Sequence, residues 1–326
     1  MDAVYVVGAG GIGCAVGYAL QTAGVPVVFV ETNPRKIVTG LREGLRAHQR
    51  PPLKARFVSF ESWAPDHDAT VLLCTKCYDN ADVLAKLTPG IRVIPIQNGF
   101  DRVLCAWGHT FEGVASFVSE CEPDRPCIRI TRPGELHLGA RGGGDRTDRP
   151  RDVIAALARS NLFRTVEVLK IEPYKHTKLW YNAAISPLAA AAGIDNGMLL
   201  SHPLARRLFF DLLEENYRIL SAAGVELGRI GPFQPKTVAS ILKRRWLARA
   251  LARAIEPSLR GTYCSMAGEI QKGRTEIDQY NGYLIRLARR TGTPCPLNQA
   301  VYDLVSQMAA QRFQPSPATW RLLAAA

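Results

Sequence analysis

The chain has no run of about 18 consecutive apolar residues, so no membrane-spanning helix is expected. Its opening stretch, MDAVYVVGAGGIG, has no basic segment ahead of an apolar one and no small-residue cleavage site, so a secretory signal is not expected either. Eight cysteines are present (Cys14, Cys74, Cys77, Cys105, Cys121, Cys127, Cys264 and Cys295), but their scatter lacks the spacing of a disulfide scaffold. Reduced thiols in a cytoplasmic protein are the expectation. Cys74-x-x-Cys77 has no second CxxC and no neighbouring histidine pair, which argues against zinc, and it closes an apolar run, VLLC. No metal site is expected. The net charge is +12, yet no nucleic-acid-binding motif goes with it, and the basic residues are dispersed apart from Lys243-Arg244-Arg245. A positive field of this kind suits an anionic cofactor and an anionic substrate rather than nucleic acid. Internal repeats are absent, and the only biased segments are a glycine-rich stretch, RGGGDRTDRPRD, and an alanine-rich tail.

What is there is enough for two domains: 326 residues, 47% hydrophobic and 21% charged. Residues 3–7 read as a buried parallel strand, followed by a glycine loop, a helix over 14–22 that Gly24 stops, and a second strand, VPVVFVE. Further strands are expected at 56–60, 69–74 and 91–97, with a helix over 81–90. This alternation predicts a doubly wound, mostly parallel sheet. From residue 113 the pattern changes to strands without helices. PGELHLG reads as a hairpin at the sheet edge, 141–152 as a solvated loop, 153–159 as a helix and 164–171 as a last strand. After Ile171 only helical patterns remain, at 173–193, 203–224, 235–254, 275–292 and 297–311. The expected class is therefore α/β: a dinucleotide-binding domain over 1–171, then an all-helical domain over 172–326 for substrate and catalysis.

Gly8-x-Gly10-x-x-Gly13 follows a strand and opens a helix. In that context it is the Rossmann-type fingerprint, in which glycines allow a tight turn and let a pyrophosphate approach the helix N-terminus. Gly8, Gly10, Gly11, Ile12 and Gly13 are the candidate cofactor residues. Glu31 ends the second strand, 21 residues after Gly10. A carboxylate there accepts from the ribose hydroxyls of NAD and repels the 2′-phosphate of NADP. The reading favours NAD; Arg35 and Lys36, close behind, are the residues that would rescue NADP.

One apolar run, KHTKLWYNAAISPL at 175–188, carries Lys178, Asn182 and Ser186 at four-residue spacing. On a helix these stack along one side, drifting about 40° per step, while Leu179, Trp180, Ala184 and Leu188 make the rest apolar. By itself the stripe suits either a solvated face or a site. It also belongs to a set of separated motifs: GAGGIG at 8–13, TK at 75–76, IQNG at 96–99, KLWYNAAISPL at 178–188, SMAGEI at 265–270, RTEIDQYNG at 274–282 and P-x-N at 296–298. In this combination and order, over nearly the whole chain, the sequence resembles the ketopantoate reductases (2-dehydropantoate 2-reductases) and their relatives.

The resemblance implies a Rossmann domain plus a helical domain with the site in the cleft between them. It also implies reduction of a 2-oxo acid to a 2-hydroxy acid with a nicotinamide cofactor. Lys178 matches the general acid of the family, and Glu276 a glutamate that helps place it and the substrate. Asn98 matches an asparagine at the nicotinamide and substrate, Asn182 a substrate-binding asparagine, Ser265 a serine that holds the substrate, and Lys76 a lysine near the cofactor. Ser186 stands where many members carry asparagine and is a shortened substrate contact. His176 replaces a family tryptophan and is read as packing or solvent-facing, with a proton relay as the other reading. Where many members have an arginine after the second strand, this chain has Glu31-Thr32.

Two geometric expectations follow. Ser265 and Glu276 would lie about 16 Å apart on one helix, so a bend at Gly273 is needed, with Thr275-x-x-Asp278 capping a new helix. Pro187 should end or kink the first helix beyond Ser186. The expected partner is a small 2-oxo acid, with no nucleic acid and no membrane. A homodimer is compatible with the sequence, which sets no oligomeric state. An NAD-linked D-2-hydroxy acid dehydrogenase with a bulkier substrate, and a dinucleotide-binding sensor without turnover, are the alternatives.

Overall fold

The protein is described by a computed structural model over residues 3–142 and 150–325. Most of the glycine-rich loop read at 141–152 lies outside the described residues. The chain divides into two compact units, Met1–Ile171 and Glu172–Ala326.

The first unit opens with β1 (Val4–Val7), α1 (Gly11–Thr22), β2 (Val27–Glu31), α2 (Pro34–Glu43), β3 (Arg46–Ala47), β4 (Arg56–Ser59) and β5 (Thr70–Leu73). It continues through α3 (Asn80–Leu84), β6 (Arg92–Pro95), α4 (Arg102–Trp107), β7 (Phe111–Ala115), β8 (Val118–Cys121), β9 (Cys127–Arg132), β10 (Glu135–Ala140), α5 (Arg151–Ala158) and β11 (Arg164–Lys170). Five strands form one parallel sheet in the order β4-β2-β1-β5-β6. The chain builds outward from β1 on one side and then crosses to build on the other, which creates a switch point at the carboxyl end of β1. Alternate residues serve opposite faces. Val4, Val6, Phe29, Leu72 and Ile94 join the core that includes α1 and α5, whereas Val7, Val30, Val71, Leu73 and Val93 join the core beneath α3 and α4. Two buried faces are why these strands read as unbroken apolar runs.

The expected hairpin at PGELHLG does not form. β9 pairs antiparallel with β8 and parallel with β3, whereas β10 pairs antiparallel with β7 and parallel with β11. The β7–β8 and β9–β10 connections change sheets at one place. Ser116 N–H donates to the Glu135 carbonyl at 2.7 Å, and Glu135 N–H donates to Ser116 Oγ at 2.8 Å. Gly134 lies so close that a Cβ there would sit 2.5 Å from the Phe117 nitrogen.

The second unit comprises α6 (Glu172–Ala192), α7 (Asn196–Ser201), α8 (Pro203–Ala222), α9 (Pro235–Lys243), α10 (Arg245–Ile255), α11 (Tyr283–Thr291), α12 (Pro296–Gln311) and α13 (Thr319–Ala325). Two expectations need correction. The helix read over 235–254 is two helices broken at Arg244, whose φ and ψ are −102° and 81°. The basic run keeps the helical pattern across the break, but Arg245 is drawn to α8, where it donates to Asp211 at 2.6 Å and Glu214 at 2.9 Å. Of the two outcomes expected at Pro187, a stop or a kink, the stop does not occur: α6 runs five residues further, to Ala192.

The reason lies in hydrogen bonding. Proline at 187 leaves the carbonyl of Ala183, four residues back, without its intrahelical donor. Asn281 Nδ2 takes that place at 2.9 Å and also donates to Asn298 Oδ1 at 2.9 Å. Asn298 continues the network: its Nδ2 donates to Asn216 Oδ1 at 2.8 Å and Glu215 Oε1 at 2.9 Å. Asn216 Nδ2 returns to the Trp180 carbonyl of α6 at 3.1 Å. Asn216, Asn281 and Asn298 are wholly buried. Replacing Asn281 with alanine strips a donor from two buried acceptors, which costs about 1–3 kcal/mol. The Asn281→Ala variant is expected to unfold at distinctly lower denaturant concentration; an unchanged midpoint would contradict this account of how α6 tolerates its proline.

Candidate active site

Val7, Val30, Leu73 and Pro95 lie in one row across the parallel sheet. The residues that follow them are Gly8, Glu31, Cys74 and Ile96, so the motifs of the first unit converge on one sheet edge. Gly8 has φ of +94°, a conformation that suits glycine. Gly13 is a packing glycine: a Cβ there would lie 2.0 Å from the Gly8 carbonyl. Gly11 lies against β8, where a Cβ would meet the Ser119 carbonyl at 1.9 Å. Gly10 faces open space, and no side chain caps the helix that follows it. An uncapped helix N-terminus beside an open glycine is where a pyrophosphate fits.

The peptide of Ala9 is held from both ends. Its N–H donates to Glu31 Oε2 at 3.2 Å, while Glu31 Oε1 accepts from the backbone of Thr32 at 2.7 Å and Asn33 at 3.0 Å. Its carbonyl accepts from Lys36 Nζ at 3.1 Å. The two basic residues therefore differ. Lys36 is buried beneath the loop, whereas Arg35 is exposed and pairs with Asp124 at 3.6 Å.

At the same edge, Thr75, Lys76 and Asn98 are partly exposed around a buried amide cluster. Gln97 Nε2 donates to the Thr75 carbonyl at 2.9 Å and to Asn80 Oδ1 at 2.8 Å. Asn80 Nδ2 donates back to Gln97 Oε1 at 3.2 Å and to Asp101 at 3.1 Å. Cys77 Sγ donates to the Asn98 carbonyl at 3.1 Å. Cys77 is thus a strut for the loop that carries Asn98, and burial pushes the Cys74 thiol up to about 12. All eight cysteines are thiols rather than disulfides, and no cluster of metal-binding side chains occurs among the described residues.

In the second unit, Lys178, Asn182 and Ser186 all lie on α6; Lys178 is partly exposed, and the other two are buried. The expected bend is present. Gly273 takes a φ of +80°, and a single π-helical turn, Asp278–Gly282, leads into α11. The expected capping box is not made: Thr275 Oγ1 accepts from Ile277 N–H at 3.5 Å rather than from Asp278, and the Asp278 carboxylate accepts from Arg286 at 3.0 Å. The bend brings Ser265 and Glu276 into one chain through Tyr280. Ser265 Oγ and the Tyr280 hydroxyl share a hydrogen bond of 2.9 Å, and that hydroxyl reaches Glu276 Oε2 at 3.4 Å. Tyr280 is fully buried, and Glu276 is 3% exposed. Sequence reasoning passed over Tyr280, although its position four residues after Glu276 on a helical turn is a signal. Asn80 and Gln97 were passed over too. His176 is buried, with Nε2 2.9 Å from the Tyr283 hydroxyl.

A sequence profile described as ketopantoate reductase PanE/ApbA matches residues 4–140, and one described as the C-terminal part of the same protein matches residues 170–309. A 2-dehydropantoate 2-reductase of Pyrobaculum aerophilum is 26% identical over 303 residues, which covers 92% of this chain and 95% of the relative. Among solved structures, a PanE/ApbA family ketopantoate reductase from Ralstonia eutropha is similar with a TM-score of 0.74 at 21% identity, covering 96% of this chain and all of that one. D-Mandelate dehydrogenase in complex with NADH and anilino(oxo)acetate is similar with a TM-score of 0.77 at 17% identity, covering 95% of this chain and 99% of its own. At these identities the structural likeness shows a shared fold. The two profiles go further, because they match both units in order: the chain belongs to the ketopantoate reductase family.

Proposed function

We propose that this protein is a nicotinamide-dependent reductase that converts a 2-oxo acid, ketopantoate or a close analogue, to the 2-hydroxy acid. The observation that carries the reading is the Ser265–Tyr280–Glu276 chain, which unites two motif residues that sequence spacing alone would hold apart. The residues at the first unit's sheet edge fit a dinucleotide: the uncapped N-terminus of α1 for the pyrophosphate, Glu31 for the adenosine ribose, and Lys76 and Asn98 toward the nicotinamide. When bound, the reduced nicotinamide supplies the hydride.

The chain's own residues then do the rest. The Lys178 ammonium hydrogen-bonds the keto oxygen, polarises the carbonyl and supplies the proton that the nascent alkoxide needs. Asn98 and Asn182 orient the substrate without competing for that proton. Ser265 holds the substrate's polar groups, and Tyr280 positions Ser265 relative to Glu276. Ser186, shorter than the asparagine common in the family, leaves room for an acid bulkier than ketopantoate, which is the second reading. The catalytic assignment is tested at Lys178. Loss of a positioned acid costs about 100- to 10,000-fold. Lys178→Ala is expected to lose kcat on that scale while its dinucleotide Kd stays unchanged; near-normal kcat in the folded variant would sink the assignment.

For the cofactor, Glu31 presents a carboxylate beside the glycine loop, and Lys36 is engaged with the Ala9 carbonyl. A 2′-phosphate there meets like charge. Steady-state kinetics across a panel of 2-oxo acids is expected to give the higher kcat/KM with NADH, and Glu31→Ala to narrow the gap by weakening NADH more than NADPH. A wild-type preference for NADPH would remove Glu31 from the ribose site.

The glycines divide cleanly by role. Gly10→Ala adds a methyl into open space, so its melting temperature should match wild type while NADH affinity falls. Gly13→Ala drives a methyl into the Gly8 carbonyl and should lower the melting temperature itself. Normal NADH affinity in Gly10→Ala would mean that the cofactor does not pass over this glycine.

A further inference from the structure

Three groups from different parts of the first unit converge on the carbonyl oxygen of Ala9, inside the glycine loop. Besides Lys36 Nζ at 3.1 Å, Cys14 Sγ donates from the first turns of α1 at 3.2 Å, and Cys121 Sγ approaches from the end of β8 at 3.7 Å. The two sulfurs are thus neighbours on one oxygen, and Lys36 Nζ lies 3.6 Å from Cys121 Sγ. The close packing of Gly11 on Ser119 brings β8 to this place. Nothing in the proposed reaction uses either thiol.

We propose that Cys121 is a modification site for hydroperoxides, with Cys14 as its resolving partner, and that the resulting disulfide weakens dinucleotide binding. The last clause rests on the dinucleotide reading above. Two features set the roles of the thiols. The adjoining Cys14 thiol, together with the Lys36 ammonium, holds the Cys121 thiol below its ordinary range against the opposing effect of burial. The adjoining Cys121 and complete burial push Cys14 well up. Cys121 is partly exposed and Cys14 is not, so the thiolate and the path for a small oxidant coincide at Cys121.

The chemistry balances in two steps. The Cys121 thiolate attacks the terminal oxygen of the hydroperoxide: an S–O bond forms, the O–O bond breaks, and the departing oxygen takes up the proton the thiol had released and leaves as alcohol or water. Sulfur is oxidised by two electrons to the sulfenic acid, and the peroxide is reduced. Cys14 sulfur then attacks the sulfenic sulfur, the S–S bond forms, the S–O bond breaks, and water leaves with the Cys14 proton. The Ala9 carbonyl loses its thiol donor. Drawing the two sulfurs to bonding distance, about 2 Å, also moves the first turns of α1 against β8, and the Ala9 carbonyl of the glycine loop touches both sulfurs.

The test treats the full-length protein with hydrogen peroxide, blocks remaining thiols and maps the peptides by mass spectrometry. The dinucleotide Kd is measured before and after, and again after dithiothreitol. A Cys14–Cys121 cross-link is expected, reversed by dithiothreitol. The oxidised form is expected to lose affinity by about tenfold, the scale of one or two lost hydrogen bonds. Cys14→Ala should accumulate sulfenic acid at Cys121, whereas Cys121→Ser should leave Cys14 unmodified. Cross-linking of another pair first, sulfenic acid at Cys14 in Cys121→Ser, or equal affinity of both forms would overturn the proposal. If the reduced protein binds neither dinucleotide, the cofactor reading fails, and the peptide map still decides the disulfide.

Discussion

A proline in the middle of α6 removes one backbone donor, and the carbonyl this leaves at Ala183 shapes much of the second unit. A buried acceptor without a donor is costly enough that the fold must supply one. Asn281 does so, and it can reach Ala183 only because the chain turns at Gly273 and passes through a π-helical turn before α11. That same turn carries Tyr280 and follows Glu276, so satisfying the helix and assembling the polar chain to Ser265 are one structural solution. Asn298 and Asn216 lock the arrangement to α12 and α8. The stripe of Lys178, Asn182 and Ser186 is therefore presented by a helix whose weak point is braced from outside.

The first unit shows a matching economy around Ala9. Its peptide is gripped at the N–H by Glu31 and at the carbonyl by Lys36 and Cys14. The grip leaves Gly10 open and the N-terminus of α1 unsatisfied, which is the state a dinucleotide needs. A lysine turned inward to hold the loop is no longer a lysine turned outward to hold a phosphate.

Parts of this were legible in the sequence because they rest on local rules. The βαβ start follows from apolar runs around Gly8-x-Gly10-x-x-Gly13, and the return of Glu276 toward Ser265 follows from helix rise and the glycine at 273. Other parts depend on partners remote in sequence. Pro187 reads locally as a stop or a kink, because its compensating donor, Asn281, is far along the chain. Arg244 looks like one more helical position, because the pull of Asp211 and Glu214 on Arg245 is tertiary. The GELHLG strand looks like half of a hairpin, because turn chemistry says nothing about which sheet receives it. Lys36 reads as a charged helix start, since periodicity cannot tell a solvated lysine from one that reaches a backbone oxygen. The family motifs point to Ser265 and Glu276, and Tyr280 lies inside the quoted RTEIDQYNG run, but only the tertiary bend shows that it joins the two.

The central claim is that hydride passes to the carbonyl carbon of a 2-oxo acid at a site served by Lys178. The most direct measurement supplies NADH that carries deuterium at the transferable position of its nicotinamide, with ketopantoate and a bulkier 2-oxo acid in turn, and examines the product by mass spectrometry and proton NMR. The account predicts a 2-hydroxy acid with one deuterium on the hydroxyl-bearing carbon, in step with cofactor oxidation. Cofactor binding with no deuterated product from either acid would contradict it.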